Sequence, residues 1–293
     1  AASAADSGNQ EGIFGFGDND AGTEYSLTNL VSSVGVVATD TTGVGTARRH
    51  LAACEYGGDK GIFGYGLTGS DVSLSNLVSN AGVVATDTTG VGTARDKLSA
   101  CGYGDDKGIF GYGHTSTYTA VTNLVSNAGV VATDTTGVGT ARDRSAACEY
   151  GDDKGIFGYG HTGDYVSMSN LVSNAGVVAT DVTGVGTARG FLGACGYGGD
   201  KGIFGYGGGA STYSLTNLVS NVGVVATDTT GVGTARSYLA ATQYGGDKGI
   251  FGYGIVGATT YSMTNLVSNA GVVATDVTGV GTARRALKAC SFN

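Results

Sequence analysis

The sequence predicts an all-β protein, a six-bladed β-propeller with four antiparallel strands per blade and one blade closed by both ends of the chain. Two observations lead to this prediction. One unit of about 47 residues recurs six times along the 293 residues, and fixed periods of roughly 20–50 residues are typical of solenoids and propellers. Each unit also contains four short β-type runs, the number of strands in a propeller blade.

The six copies are aligned by three motifs that follow one another in the same order. GIFG(F/Y)G leads to NLVS and then to GVVATDxTGVGTAR, and the copies differ in length only in the loop after the first motif. The first motif begins at Gly12, Gly61, Gly108, Gly155, Gly202 and Gly249. Glycine makes up 55 residues and proline none, which excludes collagen-like, proline-rich and coiled-coil classes.

Each unit reads as four strands separated by turns. Around the second copy the runs are LAACEYG, GIFGYG, VSLSNLVS and GVVATDT, and the separators are GGDK or GDDK, a variable polar loop, NAG and TGVG. Short runs between Gly, Asn and Asp turns match hairpin chemistry. None of the runs is long enough for a typical helix.

The ends of the chain predict closure of the ring. Residues 281–293 supply one strand of a unit and residues 12–40 supply the other three, so one blade combines both ends and removes an exposed sheet edge. We therefore expect one propeller over residues 12–293, preceded by residues 1–11 as a loose acidic arm or a short edge strand. An open β-solenoid is the alternative, and the lack of distinct capping repeats favours the ring.

Charge and hydropathy argue against two classes of partner. The net charge is −8 and no basic cluster is present, whereas nucleic-acid binding needs Lys and Arg gathered on one face. No apolar run approaches the roughly 18 residues of a membrane span. The chain starts at Ala1, which fits either removal of Met or cleavage of a leader.

Five cysteines occupy one equivalent position in five copies, and Thr242 stands there in the remaining copy. They are Cys54, Cys101, Cys148, Cys195 and Cys290. Equivalent residues of neighbouring blades lie farther apart than the ~7 Å Cα limit for a disulfide. We expect reduced, small, buried side chains, and the odd count argues against a disulfide scaffold or a metal cluster.

An aspartate and an arginine recur in every copy within TDxTGVGTAR. Because an active site needs residues in distinct roles around one substrate, sixfold repetition indicates a structural network, with Asp accepting turn amides and with Thr and Arg bridging blades. The pairs are Asp40 and Arg48, Asp87 and Arg95, Asp134 and Arg142, Asp181 and Arg189, Asp228 and Arg236, and Asp276 and Arg284.

Metal, calcium, phosphate-binding and glycosidase sites have weaker support from the sequence. His50, His114 and His161 do not form a ligand set in sequence and are expected at the surface. The stretch GDNDAG lacks the spacing and terminal Glu of a calcium loop, and GVGTAR lacks the P-loop lysine. Sialidase-type propellers carry an Arg cluster and Trp-containing turns, whereas Trp is absent here. We predict no enzyme, catalytic residue, metal or cofactor, with a propeller-fold glycoside hydrolase as a remote alternative.

The positions at which the residue differs between copies are better indicators of function than the positions that all copies share. They fall in the loop after GIFG(F/Y)G and in the stretch after each TAR. Alternate connections of a blade share a face, so this loop and the TGVG turn are expected on one side, with NAG and GGDK on the other. The loop is rich in Tyr, Ser, Thr, Gly and Asp, which suits adaptable binding to a sugar or protein surface; drift of unconstrained surface loops is the alternative. The candidate ligand-binding residues are Tyr25, Tyr118, Asp164, Tyr165, Tyr213 and Tyr261.

The motifs GIFGYG, NLVSNAGVVATDTTGVGTAR and LAACEYGGDK resemble tandem-repeat proteins of marine tailed bacteriophages and environmental viral sequences. The resemblance covers residues 12–293. It implies a non-enzymatic virion component that decorates the particle or attaches to the host, with other subunits of the assembly as partners. A soluble glycan-binding propeller is the second hypothesis, and the expected location is a virion or the extracellular space.

Overall fold

The computed structural model describes residues 9–293, and every regular element in that range is a β-strand. Six antiparallel sheets have three strands each, and a seventh sheet is a small two-stranded hairpin. The predicted all-β class is therefore confirmed. No helix in this range has the length and apolar character needed to cross a membrane.

The first strand of each sheet contains the cysteine position of the repeat. These inner strands are β3 (Ala52–Tyr56), β6 (Ser99–Tyr103), β9 (Ala146–Tyr150), β12 (Gly193–Tyr197), β15 (Ala240–Tyr244) and β20 (Lys288–Phe292). Each inner strand contacts the next in this order, and β20 contacts β3. The contacts therefore run in a closed cycle, although the six sheets remain separate hydrogen-bonded ladders.

The middle strands carry the GIFG motif and the outer strands carry NLV. The middle strands are β1 (Glu11–Gly15), β4 (Lys60–Gly64), β7 (Lys107–Gly111), β10 (Lys154–His161), β13 (Lys201–Gly205) and β16 (Lys248–Gly252). The outer strands are β2 (Thr28–Val31), β5 (Ser75–Val78), β8 (Thr122–Val125), β11 (Tyr165–Val172), β14 (Thr216–Val219) and β19 (Thr264–Val267). Strands β17 (Ile255–Val256) and β18 (Thr259–Thr260) form the small hairpin.

One sheet joins the two ends of the chain, as predicted. Its order is β2-β1-β20, and Ile13 pairs with Cys290 across β1 and β20. Glu11 already belongs to β1, so the strand starts one residue before the predicted boundary. The predicted acidic arm falls mostly on residues 1–8, which lie outside the described residues.

The expectation of four regular strands per blade was wrong in one respect. The segment after NAG pairs with the outer strand only through isolated bridges, such as Val78 with Val84 and Ser75 with Thr88. The register shifts by one residue between these bridges, which is a β-bulge. The cause is Asn76, whose side-chain amide enters the gap and donates to the Ala85 carbonyl at 3.0 Å.

The glycines of GIFG make room for side chains of the neighbouring sheets. A Cβ at Gly64 would lie 2.6 Å from the Phe110 ring, and a Cβ at Gly108 would lie 2.5 Å from the Cys54 sulfur. Phe110 and its five equivalents are fully buried. All five cysteines are buried free thiols, which confirms the absence of disulfides, and they fill the space between adjacent sheets.

Candidate functional site

The repeated aspartates and arginines form one network per sheet. Asp87 accepts hydrogen bonds from the Thr46 amide at 2.9 Å, the Thr46 hydroxyl at 2.6 Å and the Asn76 amide at 2.9 Å. The fully buried Arg48 donates to the Tyr65 carbonyl at 2.9 Å and to Asn76 Oδ1 at 2.6 Å. The same bonds recur in the other sheets, so these polar groups are engaged in the scaffold.

The predicted pairing of Asp and Arg within one motif was wrong. Arg48 lies 3.8 Å from Asp87, and Arg284 lies 3.7 Å from Asp40. Each aspartate is thus matched with the arginine of the preceding copy, because the TGVG turn carries the TAR segment across to the next sheet. The guanidinium of Arg48 also stacks 4.3 Å above the ring of Phe16 in the preceding sheet, so it bridges sheets as expected.

The ionisation of these groups follows from their surroundings. Burial alone would raise the pKa of Asp87, but hydrogen bonds from Thr46 and Asn76 and the charge of Arg48 outweigh burial and lower it. Burial lowers the pKa of Arg48 to about 10. Both groups remain charged at neutral pH.

The two variable segments of each repeat lie side by side. Backbone bridges join the residue after each TAR to the loop after GIFG(F/Y)G, as between Arg49 and Leu67 or Asp96 and His114. We call this the diversified face. On the opposite side the invariant turns meet, for example where Asn127 Nδ2 donates to Asp106 at 3.0 Å; we call this the uniform face.

The diversified face centres on a closed cycle of six backbone hydrogen bonds. The second residue after each TAR donates its amide to the carbonyl of its counterpart in the preceding copy, at 2.8–3.0 Å. All six residues have φ between 52° and 57°, a left-handed conformation that costs free energy for non-glycine residues. We call them the mouth ring: His50, Lys97, Arg144, Phe191, Tyr238 and Ala286.

The side chains of the mouth ring form an aromatic stack. Phe191 and Tyr238 lie 3.6 Å apart with their rings nearly parallel, and the His50 ring lies 5.7 Å from Tyr238. The Arg144 guanidinium covers Phe191 at 4.9 Å. Burial, together with the charges of Lys97 and other nearby cations, lowers the pKa of His50 well below its usual value. His50 is thus a neutral, half-buried residue of the mouth ring.

Two of the predicted ligand-binding tyrosines take part in a row of rings across neighbouring repeats. The Tyr118 ring lies 5.5 Å from His114 and 5.7 Å from His161, and the His161 ring lies 5.0 Å from Tyr165. The Tyr118 hydroxyl also bonds to His161 Nδ1 at 3.0 Å. The structure therefore brings together two histidines that the sequence left unconnected.

The other four predicted residues do not belong to this row of rings. Tyr25 accepts a hydrogen bond from Asn19 at 2.8 Å. Tyr213 and Tyr261 are half-buried in their own loops, where their amides donate to carbonyls of the same loop at 2.9 Å. Asp164 is exposed in a turn.

Below the mouth ring, the inner strands line a narrow channel. The cavity under the mouth ring has a volume of about 20 Å³ and includes Lys288 in its wall, and a cavity near the other end has about 40 Å³. Such volumes accommodate water-sized groups and not a substrate. The hydroxyls of Ser99 and Ser145 hydrogen-bond to each other at 2.7 Å in the channel region.

A polar cluster stands at the opposite end of the channel. The carboxyl groups of Glu55 and Glu149 hydrogen-bond to each other, and Ser291 donates to Glu55. Burial raises the pKa of both carboxyl groups, and the pKa of Glu149 is raised further by Glu55. A Cβ at Gly102 would overlap the Glu149 carboxylate, so the small residue of one strand makes room for the large residue of the next.

Sequence reasoning missed the mouth ring, Lys288 and the Glu55–Glu149 pair as sites. Their signal was present, because all of them occupy positions at which the copies differ. What the sequence did not show is that equivalent positions of all six copies converge on one axis.

No family model matches this chain, and no curated protein matches its sequence.

Proposed function

We propose that the chain is a six-bladed β-propeller that serves as a rigid, non-enzymatic binding module and contacts its partner through the diversified face. One observation carries this proposal: the two segments that vary between copies are joined by backbone bridges into a single surface around the channel mouth. A rigid scaffold with distinct side chains on one face is a common arrangement for recognition.

The propeller architecture is supported by three sets of contacts, which lie between the inner strands, within the mouth ring and in the network of repeated Asp and Arg. The inner strands contact one another in a closed cycle, and the mouth ring closes through its own six hydrogen bonds. In the sheet built from both ends, Thr282 and Arg284 make to Asp40 and Asn29 the same bonds that Thr46 and Arg48 make to Asp87 and Asn76. The bulged segment after NAG then acts as the fourth, outermost strand.

The partner that we favour is a virion, on which the module decorates the particle or attaches it to a host surface. The resemblance of the repeats to those of tailed-bacteriophage proteins supports this location. A ring of repeated shallow contacts gains avidity even when each contact is weak.

A glycan is the second candidate ligand, and the row of rings at His114, Tyr118, His161 and Tyr165 favours it. Tyrosine rings offer an apolar face for stacking and a hydroxyl for hydrogen bonding. This row is half-buried, so the edges of its rings remain accessible from the diversified face.

Two matched double variants test the face. Tyr118→Ala with Tyr165→Ala alters the diversified face, whereas Asn127→Ala with Asn174→Ala removes two exposed hydrogen bonds on the uniform face. Binding of each purified variant to native virus particles is measured by cosedimentation, and binding to glycans on an array.

We expect the first variant to lose at least tenfold in binding and the second to bind as the wild type does. Loss of binding in the second variant alone would contradict the assignment of the face. Glycan binding without particle binding would replace the virion proposal with the second candidate. A wild type that binds neither particles nor glycans would contradict both.

A further inference from the structure

Lys288 differs from every residue that occupies its position in the other inner strands. The equivalent residues are Ala52, Ser99, Ala146, Gly193 and Ala240. Five small residues and one lysine at the same position mean that the fold does not need the lysine. Its presence therefore calls for a chemical explanation.

The ammonium of Lys288 has no carboxylate partner among residues 9–293. The neighbouring cations are all paired: Arg49 and Arg285 share Asp18 at 3.1 and 3.3 Å, and Lys97 contacts Asp96 at 2.8 Å. Lys288 makes no ion pair and no side-chain hydrogen bond with any described residue. Lys288 is half-buried, burial lowers its pKa to about 8, and an unpaired cation that has lost part of its hydration is costly.

A hydroxyl group near this cavity is also available as a donor. Arg144, which lines the same cavity, has its Nε atom 3.4 Å from the Asp143 carboxylate and is already paired. The Ser99 and Ser145 hydroxyls bond to each other, and since one proton serves that bond, the second hydroxyl proton is free to donate. Ser145 lines the cavity together with Lys288.

We propose that the cavity beneath the mouth ring binds a small monovalent anion, of the size of chloride or formate, in direct contact with the Lys288 ammonium. The cavity, of about 20 Å³, leaves room for one small ion beside the ammonium. The stacked rings of Phe191 and Tyr238 form part of the cavity wall, and apolar walls lower the local dielectric and strengthen the attraction. Binding of the anion needs no partner on the diversified face.

Chloride-35 NMR provides the direct test. Exchange of chloride with a protein site broadens the line of the bulk ion, and we expect this excess width for the wild type at pH 7. Lys288→Ala, which introduces the residue found at three equivalent positions, should remove most of the excess. Lys201→Met is the matched control, because it deletes a lysine that pairs with Asp200 at 2.6 Å on the uniform face, outside the cavity, and it should retain the broadening.

Thermal unfolding gives a second readout at constant ionic strength. Replacing sodium gluconate, whose anion is too large for the cavity, with sodium chloride or sodium formate should raise the Tm of the wild type by a few degrees. The Tm of Lys288→Ala should not respond. Equal broadening in wild type and Lys288→Ala, or an equal Tm response in both, would overturn the proposal. A response to formate but not to chloride would restrict the ligand to carboxylates.

Discussion

Asp181 shows what each of the six aspartates does at the level of single atoms. It accepts hydrogen bonds from the Thr140 amide and hydroxyl at 3.0 and 2.6 Å and from the Asn170 amide at 2.9 Å. Repetition of the residue in all six copies was sufficient to predict this structural role. Its arginine partner was assigned to the wrong copy, since sequence proximity does not reveal that a turn crosses to the next sheet.

Acid should unfold the protein through these aspartates. Their pKa values lie below 3.8 in the folded state, so the stability they contribute is complete above about pH 4 and is lost as pH falls through the folded pKa values. Asp181→Asn should make the free energy of unfolding less steep below pH 4 by up to about 1.4 kcal/mol per pH unit, the equivalent of one proton. Urea titrations at several pH values measure the slope.

The charge-matched control for this experiment is Asp164→Asn in an exposed loop. It should leave the slope unchanged. A slope below pH 4 that is equal in Asp181→Asn and wild type would show that the network does not govern acid unfolding.

Lys288 should make stability depend on pH in the alkaline range as well. Its pKa is about 8 in the folded state and 10.5 in the unfolded state, so between these values the unfolded chain binds more protons and stability rises with pH. Relative to Lys288→Ala, the wild type in gluconate buffer should gain up to about 3 kcal/mol between pH 8 and pH 10.5. Urea unfolding of both proteins measures the difference, and a difference independent of pH would contradict the burial of this ammonium.

At the scale of the strand, the sequence predicted four strands in each repeat, and three of them are regular strands in the structure. The fourth is irregular because Asn76 uses its side chain in place of a backbone partner, donating to Ala85 and Asp87. Alternation of residue types alone does not reveal such an insertion. The GIFG motif was recognised as a strand, but the need for its glycines emerges only from the neighbouring Phe and Cys side chains.

Packing between inner strands is tested by Gly102 and Glu149. Alanine at residue 102 would displace the Glu149 carboxylate, which is the end of a flexible side chain, so Gly102→Ala should cost about 1 kcal/mol in the wild type, the typical value of one lost hydrogen bond. In a Glu149→Ala background the obstacle is gone, and the same change should be neutral or stabilise by up to about 1 kcal/mol. Equilibrium unfolding of the four proteins in this double-mutant cycle gives the coupling, and equal costs in both backgrounds would refute the contact.

At the scale of the whole molecule, repetition predicted the arrangement of sheets and the separation of two faces. It also led to Tyr118 and Tyr165, which lie in the row of rings. The sequence did not predict the mouth ring, because its six residues come from six copies, share no residue type and are brought together only by the fold. Residues that differ between copies therefore indicate a candidate functional surface. Which of these residues contact one another is determined by the three-dimensional arrangement of the six sheets.

Closure of the ring makes one sheet unlike the others. In the sheet β2-β1-β20 the network joins Thr282 to Asp40, 242 residues apart, whereas the same bond elsewhere joins residues 41 or 42 apart, as for Thr140 and Asp181. In the other sheets a tight turn links the inner and middle strands. Strand β20 has no such link to β1, so its local opening is opposed only by noncovalent contacts.

We therefore expect Asp40→Asn and Asp181→Asn to lower the free energy of unfolding by similar amounts, about 1–3 kcal/mol each, yet to differ in hydrogen exchange. Asp40→Asn should accelerate hydrogen exchange of the amides that pair β1 with β20, because local separation of these two strands then costs less free energy than global unfolding. Asp181→Asn should not accelerate exchange selectively between β9 and β10, since the turn holds these strands together. Equal and uniform acceleration in both variants would mean that the ring opens only by unfolding as a whole, and the junction of the two chain ends would then be as strong as any other sheet.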